Sequence, residues 1–121
     1  MSKKSTNAKI DFIVEMIGNI EFITQRHGGV SQALGDIEGQ MSILMGISQI
    51  GETIKKLDTE LIAQYNLKHD QNGAYLTRNY IVHDYEGVDL GYIENIVRDY
   101  LPQLKEKLVK VQNDTNQTPR S

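Results

Sequence analysis

The 121 residues carry 13 Lys and Arg against 16 Asp and Glu, with three His, no Cys and a formal net charge of −3 at pH 7. A chain of this size forms one domain with a core of its own, and without cysteine it has no disulfides, thiolate metal sites or thiol nucleophiles, so any catalysis must come from His, carboxylate, Tyr, Arg or Lys. The acidity argues against a protein that coats nucleic acid non-specifically and leaves room only for a local basic cleft. No apolar run approaches a membrane helix and "MSKKSTNAK" has no apolar stretch behind its lysines, so a cytoplasmic protein is expected.

From Lys9 to Gln25, residues Ile10, Ile13, Val14, Ile17 and Ile20 recur at helical spacing, flanked by Phe12, Met16 and Ile23, which predicts a helix with a wide apolar face. Gly28 and Gly29 stop it by taking the left-handed conformation. The next predicted helix runs from Ser31 to Leu57 and carries two stripes: Ile37, Met41, Leu44, Met45 and Ser48 on one side, Ile43, Ile47, Ile50, Ile54 and Leu57 on another. A helix so apolar around its circumference is central in a bundle or shared with a second protomer. Gly39, Gly46 and Gly51 each cost on the order of 1 kcal/mol relative to Ala inside a helix, which suggests close helix approach or a short break.

Asp58 is read as the N-cap of a short helix over "TELIAQY", and "NLKHDQNG" as a connecting loop. Asp89 caps a last helix in which Leu90, Ile93, Val97, Leu101, Leu104, Leu108 and Val111 form a stripe, with a kink expected at Pro102. The closing "QNDTNQTPRS" has nothing to bury and is expected to be disordered. Strand signals are absent, so the fold class is all-α: four long helices plus a short one, in one domain over residues 1–112 with 113–121 as a tail.

The polar part of "LTRNYIVHDYEG", residues 76–87, is not required by core packing. On a helix at 100° per residue, Arg78, Asn79, Val82, His83 and Tyr85 fall within about 160° of one side. Arg78 and Tyr85 are nearly aligned two turns apart, and Asn79 and His83 form an i, i+4 pair able to hydrogen-bond. One face then offers a permanent cation, an amide, a proton-transfer group and a phenol, the chemistry of phosphate handling. The plainer reading is a histidine near a helix end and an arginine and tyrosines covering apolar surface with their stems.

A metal centre is the other alternative, because His-Asp occurs at His69-Asp70 and His83-Asp84, as in metal-dependent phosphohydrolases. Only His27 remains to complete the set, so the ligand supply is poor and no metal or other cofactor is expected. There is no phosphate-cradling Walker loop and no serine nucleophile elbow.

The run Arg78-Asn79, three residues, His83, one residue, Tyr85 resembles the R-polar-x3-H pattern of the HEPN superfamily, and more narrowly the R-x4-H-x-Y form of HepT-like toxins. "IGETIKKL" at residues 50–57 is similar to that family's I-G-E-A-x-K-x-L helix, and "HDYEGVDLGYIENIVRDYLPQLKEKL" to its junction and final helix. Nearly the whole folded region is covered. The family commonly has a Trp and a Gly-Met pair just before the motif arginine, where this sequence has "NGAYLT"; the change to Tyr75 is read as affecting packing only.

The resemblance implies an antiparallel HEPN-like bundle that dimerises with its motif faces together, and a metal-independent endoribonuclease toxin paired with a nucleotidyltransferase antitoxin of the MNT type. In that reading Arg78 meets transition-state charge, His83 transfers protons, Asn79 orients His83 or a phosphate oxygen, and Tyr85 contacts RNA or accepts AMP from the antitoxin. Glu52 is expected to pair with Arg78, and Lys55, Lys56 and Arg98 to supply a basic rim. The alternative function is a non-catalytic helical partner or substrate-binding subunit of a nucleotidyltransferase, against which the intact Arg78, Asn79 and His83 set argues.

Overall fold

A computed structural model describes residues 3–116, and among them every regular element is helical. Helix α1 (Lys3–Arg26) starts six residues earlier than the periodicity suggested and ends as expected, at Gly28 and Gly29 with φ of 89° and 145°. Ile10, Ile13, Ile17 and Ile20 of α1 are buried.

The predicted helix over residues 31–57 is two helices, α2 (Val30–Leu34) and α3 (Ile37–Lys55). The break lies at Gly35 and Asp36, where the Asp36 carboxylate accepts the Gly39 amide proton and caps α3. That bond, helped by the His27 ring 3.2 Å away, holds the Asp36 carboxyl below the usual carboxylate range.

Helix α3 is the middle of the bundle. Its buried stripe of Ile43, Ile47, Ile50 and Ile54 fills the core. Its three glycines mark close approaches: a Cβ on Gly39 would meet the Ala33 carbonyl of α2, one on Gly46 would stand 2.9 Å from Ile20 of α1, and one on Gly51 would stand 2.5 Å from the Ala74 carbonyl oxygen. The other predicted stripe divides: Leu44 joins the core and Ser48 is half-buried, whereas Ile37, Met41 and Met45 remain 67%, 53% and 60% exposed.

A short α4 (Thr59–Gln64) follows, but Asp58 does not cap it with its side chain; that carboxylate accepts a hydrogen bond from Thr6 instead. The segment read as a loop is mostly helix, since α5 spans Lys68–His83 and only residues 65–67 connect. Its polar start is stabilised by tertiary bonds that composition does not reveal. Gln71 donates to the Ile54 carbonyl, and Asp70, 5% exposed, accepts from Lys107 Nζ at 2.9 Å and from the Tyr100 hydroxyl at 3.1 Å.

After a 3-10 turn (Tyr85–Gly87), Asp89 caps α6 (Leu90–Asn95) by accepting from the Gly91 and Tyr92 amides. A π turn (Ile96–Tyr100) joins α6 to α7 (Leu101–Asn116), in the place where a proline kink was expected. The Leu101 amide reaches the Ile96 carbonyl, five residues back, just before Pro102, whose missing N–H cannot continue the ordinary ladder. The stripe from Ile93 to Val111 is buried. Helix α7 also takes in residues 113–116, the first part of the expected tail, while 117–121 lie outside the described residues. The architecture is an all-α, HEPN-like bundle of four long helical segments, with α2 and α4 as short connectors.

Candidate active site on the face shared by α3 and α5

Because Gly51 has no side chain, the backbone of α5 at Ala74 rests directly on α3, with Arg78 Cβ only 2.6 Å from where a Gly51 Cβ would be. This seating fixes the arginine. Its Nη2 lies 3.0 Å from Glu52 Oε2, the pairing expected from the sequence, and its Nη1 donates to Asn79 Oδ1 at 2.9 Å. The pair is partly open to solvent, with Arg78 at 28% and Glu52 at 38% side-chain exposure, so an incoming anion can reach the guanidinium.

The Asn79 side chain therefore turns toward Arg78, and no side-chain hydrogen bond joins it to His83. His83, the last residue of α5, is exposed, and its imidazole makes no hydrogen bond or ion pair among the described residues. Tyr85 lies beyond the end of α5, in the 3-10 turn, so the helical projection that aligned it with Arg78 does not apply to it. Fold geometry brings them together all the same. The Tyr80 hydroxyl accepts the Asp89 amide proton and ties down the junction, and Tyr85 and Arg78 line one groove of about 280 Å³. Met41, Leu44, Met45, Ser48, Gln49, Glu52, Ile81 and Val82 complete its walls, and His83 is not among them.

Lys55 ends α3 and stands 4.8 Å over the Tyr75 ring, which also has the Arg78 guanidinium 5.9 Å from its centre. Lys56 is exposed and caps α3. Arg98 of the π turn is held by Glu94 at 2.8 Å. Tyr75 was not among the residues singled out from the sequence for this site; its i, i+3 relation to Arg78 was the signal available.

A HepT-like ribonuclease model matches residues 13–111, which hold α3, α5 and the complete motif. The chain belongs to the HepT-like ribonuclease family. A relative from Methanocaldococcus jannaschii, described as "Gamma-glutamylcyclotransferase and putative RNase", is 33% identical over 75 residues, covering 62% of this HepT-like chain and 33% of the relative. The chain thus spans only about a third of that relative's length. No solved structure matches the chain significantly.

In this HepT-like fold the three histidines serve separate places. His27 Nδ1 faces the Ile23 carbonyl at 2.9 Å and its Nε2 faces Asp36. His69 borders a second cavity, of about 260 Å³, between α3, α5 and the last helices, together with Thr77, Tyr92 and Tyr100. Among the described residues no three His, Asp or Glu side chains gather as metal ligands. No described helix is long and apolar enough to cross a membrane.

Proposed function

We propose that this chain is the toxin of a toxin–antitoxin pair: a metal-independent endoribonuclease that cleaves RNA through attack of a ribose 2′-OH on the adjacent phosphate. The observation that carries the reading is the Arg78 guanidinium, braced by Glu52 and Asn79 and partly open, on the same helix as an exposed His83 in a HepT-like chain.

Attack of the 2′-oxygen forms a 2′,3′-cyclic phosphate as the P–O5′ bond breaks. One group removes the 2′-OH proton and another protonates the leaving 5′-oxygen, while negative charge gathers on the phosphorane oxygens. Arg78 meets that charge and Asn79 fixes the guanidinium plane or a phosphate oxygen. His83 moves the protons, with the second histidine supplied by the partner protomer of a homodimer. The exposed stripe of Ile37, Met41 and Met45, continued by Val82 and Tyr85 at 51% and 44% exposure, supports that dimer, since an apolar face of this kind beside a site suits a second copy. Lys55 and Lys56 add a basic rim where the overall charge is unfavourable.

An antitoxin of the MNT nucleotidyltransferase type transfers AMP to the Tyr85 hydroxyl, releasing pyrophosphate from ATP. The added nucleotide puts bulk and negative charge in the groove that Tyr85 shares with Arg78. The test is expression alone and with such a partner. Growth arrest should disappear in His83→Ala, and co-expression should raise the intact mass of the wild type by AMP units that map to Tyr85 and vanish in Tyr85→Phe. Arrest by the His83→Ala protein equal to wild type would contradict the nuclease assignment; silencing without any AMP would leave contact as the antitoxin's means.

A further inference from the structure

Tyr75 has no role in the ribonuclease reading, yet two cations of the site meet on its ring. The Lys55 ammonium stands 4.8 Å from the ring centre and the Arg78 guanidinium carbon 5.9 Å from it. They come from different helices: Lys55 from the end of α3, and Arg78 from α5, one turn after Tyr75 itself. An aromatic ring attracts cations to its electron-rich faces.

Two like charges on one ring repel unless something anionic offsets them. Glu52 offsets one of them through Arg78. Lys55 is exposed and has no carboxylate within ion-pair distance among the described residues, so one positive charge stands uncompensated next to the Arg78 pair. Lys56 makes no ring contact among the described residues, so the two neighbouring lysines are not equivalent.

Resting on the ribonuclease reading, we propose that Tyr75 is a positioning residue that holds Lys55 beside Arg78, so that the site grips two successive phosphates of one RNA strand. The scissile phosphate sits at Arg78 and its neighbour at Lys55. The substrate class is then an oligoribonucleotide with at least two consecutive phosphodiesters, and the ring fixes the spacing between the two cations. A lysine on a free four-carbon stem would instead sample many positions and select no spacing.

Salt dependence reads the number of phosphates gripped. Binding of a 2′-O-methyl oligoribonucleotide, which lacks the attacking hydroxyl, is followed by fluorescence anisotropy over a salt series. Each phosphate neutralised on a single strand contributes about 0.7 to the slope of log affinity against log salt. Lys55→Met and Tyr75→Leu should each flatten the slope by about 0.7, while Tyr75→Phe, which keeps the ring, should match the wild type. The double variant should lose no more than Lys55→Met alone, because Tyr75 acts through Lys55. Tyr75→Gln, a good helix former without a ring, serves if Tyr75→Leu packs poorly. An unchanged slope in Lys55→Met, a loss in Lys55→Met without one in the ringless Tyr75 variants, or additive losses in the double variant would overturn the proposal and leave the nuclease reading standing. A wild type that shows no salt-dependent RNA binding would overturn the nuclease reading itself.

Discussion

At the N-terminal end of α5, Asp70 is buried, and it accepts from Lys107 and from the Tyr100 hydroxyl, which burial and the Asp70 charge push well above the ordinary phenol range. At the C-terminal end of the same helix, Arg78 is braced but accessible, and His83 is exposed and unengaged among the described residues. Both clusters are charged and both contain a His-Asp dipeptide, so residue types alone do not separate them. Satisfaction does. A buried polar group whose bonds are all made ties elements together, whereas a polar group left open next to a fixed cation is available for a ligand.

The contrast is broken most sharply by removing the open groups. Arg78→Ala and His83→Ala should each lower RNA cleavage by about 10²–10⁴-fold, with stability changed by less than about 1 kcal/mol, as measured by cleavage rate and urea melts on the same preparations. Asp70→Ala should do the reverse. It leaves Lys107 and the Tyr100 hydroxyl without their shared acceptor, and should cost roughly 1–3 kcal/mol while the folded fraction cleaves RNA normally. Loss of cleavage in folded Asp70→Ala would erase the distinction between the two ends.

Gly51→Ala tests the link between packing and site. The added methyl meets the Ala74 carbonyl and the base of the Arg78 side chain, neither of which can move cheaply, so about 1–3 kcal/mol of stability should be lost together with activity. The smallest effect is one of pH. Because the folded-state pKa of Tyr100 is raised above its ordinary value of 10.0, its contribution is complete below pH 10 and is lost as pH rises through the folded-state value. Thermal melts from pH 8 to 11 should fall more steeply for the wild type than for Tyr100→Phe.

The helical class, the core stripes of α1, α3 and the last helices, the glycine stop after α1 and the Asp89 cap were all legible, because each rests on periodicity or on a local hydrogen bond. So was the pairing of Glu52 with Arg78. What escaped has a common cause. The start of α5 reads as loop from its polar residues and is helical because Asp70 and Gln71 find partners 37 and 17 residues away in sequence. The break at Gly35 and Asp36 was hidden by an apolar pattern that continues across it, and only the Asp36 cap on Gly39 reveals it. The π turn just before Pro102 was not legible either, because a widened turn that leaves the Leu101 amide on the Ile96 carbonyl keeps the apolar stripe on the core side and so leaves no mark in the periodicity. Tyr85 could not be placed by projection, since the helix ends before it; the turn that carries it is set by Asp84, whose carbonyl accepts the Gly87 amide, and by Tyr80.

The claim that this face performs metal-free transesterification is tested most directly by the ends of the RNA products. A labelled oligoribonucleotide incubated with the protein in EDTA should yield a 2′,3′-cyclic phosphate and a 5′-hydroxyl, and replacing the ribose at the cleaved position by 2′-deoxyribose should stop the cut. Products ending in 3′-hydroxyl and 5′-phosphate, formed only with added Mg²⁺ and equally from the deoxy substrate, would contradict it.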